Sequence, residues 1–129
     1  MKKFFKILIS IIVLIVIILA GGIFYLSHGL ELGRSIEING LNISNITDGI
    51  YNGKYKSGRW SNELNVTVKD KKITDIEIVD DVAFAMPSVR NELFNRVIEE
   101  QNTKVDAVSG ATVTSKAYLK SIENAFTNK

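Results

Sequence analysis

The chain has 129 residues, of which 46% are hydrophobic and 9% aromatic, with one proline and no cysteine. The lack of cysteine excludes a disulfide framework, a thiolate zinc site, a cysteine-ligated iron–sulfur cluster and a cysteine nucleophile, and the apolar content is too high for a disordered chain. The formal net charge of +2 divides unevenly: Lys2, Lys3 and Lys6 account for three of the 16 basic side chains, leaving 13 against 14 acidic ones, so no basic footprint for nucleic acid remains.

Residues 1–6 form the basic N-terminus, and residues 7–26 (ILISIIVLIVIILAGGIFYL) carry no charge. Twenty residues at about 1.5 Å each reach about 30 Å, the thickness of a bilayer core. The alternative, a helix buried inside a soluble protein, needs a larger body to hide an all-round apolar surface. A transmembrane anchor is therefore predicted. Lysines before the run and none soon after it orient the N-terminus to the cytoplasm and everything past Ser27 outward. A cleaved signal peptide stays open, because Ala20-Gly21-Gly22 reads as a cleavage region, although leader cores usually run about 7–15 residues. The segment Leu19-Ala20-Gly21 resembles the start of a lipobox, whose cysteine would fall at Gly22, so a lipoprotein is excluded. His28 is read as an interfacial residue without chemistry.

Residues 27–47, rich in Ser, Asn, Gly and Ile, read as a tether with a short strand at Ser35–Ile38. Three glycosylation triplets, at Asn42, Asn45 and Asn65, are treated as chance matches. The folded domain is placed at 48–127. Gly49–Ser57 reads as a strand, with Tyr51 and Tyr55 flanking Gly53. Leu64, Val66 and Val68 alternate with polar residues, Asp70-Lys71 makes a turn, and Ile76 and Ile78 alternate in the next run. That pattern is an antiparallel hairpin with one buried face. Lys69, Lys71 and Lys72 belong to its solvated turn. Pro87 suits a first helical turn, and Val89, Leu93, Phe94, Val97 and Ile98 form an apolar stripe. Ala117, Leu119, Ile122, Ala125 and Phe126 predict a second, shorter amphipathic helix. The fold class expected is α+β: a transmembrane helix, then a small antiparallel sheet packed with two helices.

One segment carries chemistry. In Asp106–Ser115 (DAVSGATVTS) a short strand is expected to run into Ser109-Gly110-Ala111, with a helix starting just after. Small residues there let backbone N–H groups approach a ligand, and a helix N-terminus suits a phosphate. Four hydroxyls, at Ser109, Thr112, Thr114 and Ser115, crowd the turn, and Asp106 adds a carboxylate. Ordinary helix capping explains the same residues equally well on spacing alone. Neither a Walker motif nor a G-x-G-x-x-G fingerprint is present.

The segment Asp106-Ala-Val-Ser109-Gly110-Ala111-Thr112 resembles the flavinylation motif D-x-x-S/T-G-A-S/T of the FMN-binding domain family. Average residue usage produces it by chance in roughly one chain of this size per thousand. The likeness extends over about Asp48 to Phe126. It takes in the D-G-x-Y-x-G opening (Asp48, Gly49, Tyr51, Gly53), the hairpin, the I-E-E-Q helix end (Ile98–Gln101) and the closing segment from Thr114 to Ala125. That family includes peripheral subunits of the sodium-pumping NADH:quinone oxidoreductase and of the related ferredoxin-linked complex, and small membrane-anchored flavoproteins of bacterial envelopes. The resemblance implies that Thr112 accepts FMN through a phosphoester. A separate magnesium-dependent flavin transferase, with FAD as donor, would make that bond. Asp106 and Ser109 match the positions the transferase recognises, and Gly110 and Ala111 supply room and backbone donors; Thr114 and Ser115 complete the cofactor-binding set.

Two features depart from the pattern. Asp80–Pro87 aligns with no family motif; Phe84 or Met86 is a candidate to pack on the isoalloxazine ring. A single motif without the extra sequence of the large complexes points away from a core pump subunit. Tyr51, Tyr55, Trp60 and Tyr118 are candidates to stack on the flavin, with core packing the favoured reading of each. No catalytic acid/base constellation and no metal cluster is evident. The expectation is an extracytoplasmic electron carrier with unidentified membrane or envelope redox partners. The alternatives are a non-redox surface binding domain and an envelope reductase that relies on the flavin or a partner for turnover.

Overall fold

The computed structural model describes residues 1–127. Helix α1 (Lys2–Ser27) is continuous, and none of its residues is buried. By length and composition it is able to cross a bilayer. It ends where His28 turns to extended backbone and Gly29, at φ +85, redirects the chain. A positive φ costs glycine little. The one-turn helix α2 (Leu30–Arg34) follows.

Strands β1 (Gly49–Tyr55), β2 (Asn62–Lys69) and β3 (Lys72–Asp80) form an antiparallel sheet in that order. The period-2 reading of β2 holds: Asn62, Leu64, Val66 and Val68 are buried, and the residues between are not. Leu64 pairs with Ile78 and Val66 with Ile76, so both strands turn their branched side chains to one face. Asp70 and Lys71, at φ 53 and 62, form the β2–β3 turn. Two left-handed residues match the twist of a two-residue hairpin, and the Asp48 carboxylate accepts the Asp70 N–H at 2.9 Å. A short 3-10 turn, Gly58–Trp60, joins β1 to β2.

Helix α3 (Pro87–Glu100) starts on its proline and buries Leu93, Phe94 and Val97, as its stripe predicts. Gln101 stops it at φ 53. The Gln101 side chain then accepts from Ile73 N–H (2.6 Å) and donates to Ile73 C=O (2.8 Å), fixing the end of α3 to the start of β3. Helix α4 (Thr112–Thr127) crosses the sheet. Its 16 residues exceed the 14 of α3, which corrects the expectation of a shorter helix. It buries eight residues, Ser115, Tyr118, Ser121 and Glu123 among them. That exceeds a one-sided stripe, because α4 is covered on more than one side.

Ser35–Ile38 is not a strand. It opens an irregular strap whose Ile38, Leu41, Ile43 and Ile46 pack against the core. Side chains rather than a ladder satisfy its backbone: Glu123 Oε1 accepts Gly40 N–H at 2.9 Å, and Asn102 Oδ1 accepts Leu41 N–H at 3.1 Å.

Gly53 sets the distance between sheet and helix. A Cβ there would lie 1.9 Å from the Ser121 carbonyl oxygen and 2.8 Å from Ala125 N. Gly53→Ala must push α4 off β1. The expected loss is about 2–3 kcal/mol, read as a lower thermal midpoint by Trp60 fluorescence in the full chain. Gly21→Ala, which meets nothing within 4 Å, leaves that midpoint unchanged.

Candidate functional site

The motif occupies the turn that delivers the chain into α4. The expected strand before it is absent: residues 104–108 belong to no sheet. Arg96, on α3, replaces the ladder. Its Nη1 donates to the Asp106 carbonyl at 2.9 Å and to the Ala107 carbonyl at 3.4 Å, while its Nη2 pairs with Glu92. No sequence pattern announces this role of Arg96, because carbonyls of an irregular segment carry none.

Ala111 N–H donates to Val108 C=O at 3.0 Å, closing a turn with Gly110 at φ +79 in its third position. Turns with a left-handed third residue call for glycine. A Cβ at Gly110 would meet nothing within 4 Å, so the space above the turn is open. Ala111 then caps α4, its carbonyl accepting Ser115 N–H at 2.9 Å. Alanine offers no side-chain acceptor, so capping by a hydroxyl at this position is not what the motif does. Helix geometry leaves the N–H groups of Thr112, Val113 and Thr114 without intrahelical acceptors.

The four hydroxyls separate. Ser109 and Thr112 are exposed, and Thr114 is half-buried. Ser115 is fully buried, and its Oγ accepts Val108 N–H at 3.0 Å. Ser115 therefore holds the loop against α4. Asp106 is exposed, Gly110 is exposed and Ala111 is buried. Beside the loop lies an open groove of about 470 Å³, lined by Arg96, Glu99, Lys104, Asp106, Ala107 and Ser109 among others. Ligand sites commonly span about 300–1,000 Å³.

Three of the four aromatic candidates pack in or against the core, and Tyr55 is half-buried. Tyr118 is fully buried, edge-on to Phe94 with centroids 5.6 Å apart. Trp60 is 3% exposed. Tyr51 lies 5.2 Å from Phe126 and donates to Thr47 C=O at 2.6 Å. Tyr118 also donates to Asp81, which pairs with Arg90. Burial first, and then the Asp81 acceptor, push the Tyr118 hydroxyl well above the usual phenol range. That triad pins the segment after β3, leaving Phe84 and Met86 exposed. Among the described residues no cluster of carboxylates or histidine could hold a metal ion.

The N-terminal half of α4 also meets α2. A Cβ at Gly33 would lie 2.5 Å from Val113 Cγ1, and Lys116 Nζ donates to Arg34 C=O at 3.0 Å. Helix α2 thus supports the residue next to Thr112.

The sequence model of the FMN-binding domain matches residues 58–127, more than half of the chain, and includes the whole motif. No curated protein matches the chain.

Two measurements test the site's scaffold. Ser115→Ala leaves Val108 N–H buried without its acceptor, for an expected loss of about 1–3 kcal/mol and faster amide exchange at Val108; Thr114→Ala changes neither. Tyr118 has its pKa raised in the fold, so its contribution is complete below the unfolded phenol value of about 10 and is lost as pH rises beyond it. Stability of the full chain should fall above about pH 10, and Tyr118→Phe should fall less steeply.

Proposed function

The chain belongs to the FMN-binding domain family, and we propose that it is a membrane-anchored extracytoplasmic electron carrier with FMN joined to Thr112 as a phosphoester. The observation that carries this reading is the exposure of Thr112 in the first turn of α4, where free N–H donors and the positive end of the helix favour a phosphate. The residues fit the group. Gly110 leaves its side open, Ala111 adds no bulk, and Ser109 and Asp106 are exposed for recognition. A phosphodiester keeps one negative charge, which the helix end stabilises.

Bound FMN supplies one- and two-electron redox chemistry that the protein side chains lack. The chain's own residues hold and orient. Arg96 and Ser115 fix the loop on α3 and α4, and Thr112 offers the hydroxyl that loses its proton in the ester. A covalent link prevents cofactor loss outside the cell. A flavin transferase is the partner needed for maturation, and unidentified membrane or envelope redox proteins are the partners in turnover. No acid/base constellation points to a stand-alone enzyme.

Helix α1, which carries Lys2, Lys3 and Lys6 at its start, supplies the anchor, with the N-terminus inside by charge. A cap-only role for the hydroxyls, which the non-redox alternative requires, is disfavoured by Ala111 at the cap position.

Mass spectrometry of the full chain, co-expressed with a flavin transferase, tests the reading. The expected gain is one FMN less one water, lost entirely in Thr112→Ala and retained in Thr114→Ala. An unmodified wild-type mass, or modification that survives Thr112→Ala, overturns the assignment.

A further inference from the structure

Beyond the C-terminal end of α1, five large apolar side chains are exposed among the described residues: Leu32, Ile50, Val79, Phe84 and Met86. Ile50 and Val79 lie on the edge strands β1 and β3. Phe84 and Met86 stand apart, in the irregular segment between β3 and α3, at 57% and 44% exposure. Their neighbours connect them to the end of the apolar helix. Arg59 Nε donates to the Leu26 carbonyl at 3.0 Å. The same guanidinium lies 5.5 Å from the Phe84 ring centroid and 4.2 Å from that of Trp60. Ala83 N–H donates to Arg59 C=O at 2.9 Å, so the backbone is tied as well.

The contact between the two segments is close. A Cβ at Gly58 would lie 2.4 Å from the His28 carbonyl oxygen, and one at Gly29 would lie 2.4 Å from Ser57 Oγ. The Gly58–Trp60 turn therefore rests directly on the exit of α1. The Tyr118–Asp81–Arg90 triad fixes the loop from the other side.

We infer that the Asp81–Met86 loop and Arg59 form a membrane-contact surface, with Phe84 and Met86 entering the headgroup region of the bilayer that α1 spans. The inference rests on the membrane reading of α1. Its further support is continuity: one guanidinium bridges the last turn of the apolar helix to the Phe84 ring. An aromatic ring and a thioether beside an arginine suit the boundary, where apolar surface is buried and a cation meets lipid phosphates. Leu32, 68% exposed on the adjacent α2, extends the surface. Asp81 does not oppose it as a free charge, because Arg90 pairs with it. The domain would then be held at a fixed orientation to the bilayer, and not swing on a tether.

The chain has no cysteine, so single-cysteine variants label uniquely. Full-length Phe84→Cys, Met86→Cys, Lys69→Cys and Ile17→Cys, made without a flavin transferase, would each carry an environment-sensitive fluorophore in nanodiscs. Lys69 ends β2, which runs about 25 Å from the turn on α1. Lipid with a headgroup nitroxide should quench the labels at 84 and 86 roughly two-fold or more over the label at 69. A nitroxide deep in the acyl chain should quench the label at 17. Quenching at 17 with equal quenching at 84, 86 and 69 overturns the contact surface and leaves the anchor standing. No quenching at 17 overturns both.

Discussion

Helix α4 is enclosed on several sides, yet Thr112, its first residue, stays exposed. The enclosure is built from unlike contacts. Gly53 lets the sheet approach the helix backbone at Ser121 and Ala125. Phe94 on α3 meets Tyr118 edge-on. Glu123 binds the strap at Gly40, and α2 closes on Val113 through Gly33. None of these contacts covers Thr112. A helix gripped along its length presents its free end in a fixed direction, which a helix on a two-sided interface would not do.

The grip has a polar component. Ser121 donates to Asn62 at 2.6 Å, and both residues are buried. The Glu123 carboxylate, 4% exposed, accepts from Gly40 N–H and Thr103 Oγ1 and pairs with Lys120. Buried polar groups cost free energy unless they are partnered. Here Ser121 is partnered by a side chain of β2, while Glu123 reaches the backbone of the strap, a segment with no sheet or helix of its own. Side chains on α4 and α3 therefore do for the strap and the motif loop what a β ladder does for the hairpin.

That division explains what could be read from the sequence. The apolar run, the β2–β3 hairpin and α3 follow from periods of 2 and 3.6, and the structure has them. The candidate site was legible only as a motif, and the structure places its Ser109, Gly110 and Thr112, all exposed, where the chain enters a helix. What misled was segments satisfied by side chains. Ser35–Ile38 and the approach to Ser109 looked like strands because they are apolar and short, and both are irregular. Whether a short apolar segment pairs or is tied down depends on distant residues, here Glu123 and Arg96, which periodicity does not register. Ser115 is another case, since its partner is the Val108 amide seven residues earlier, which no helical or strand period registers.

Ser115 and Thr112 also show how a fold selects one hydroxyl among several. They are three residues apart, so they share a face of α4 one turn from each other. Their chemistry is similar; their cover is not. The loop folds Val108 over Ser115 and stops short of Thr112. The axial step along the helix, not intrinsic reactivity, decides which of the two oxygens is open to solvent. Thr114, half-buried, is only partly excluded by that step. The register of the loop is set from α3: Arg96 donates to the Asp106 and Ala107 carbonyls, and that fixes the height at which the exposed Asp106 side chain stands before Thr112.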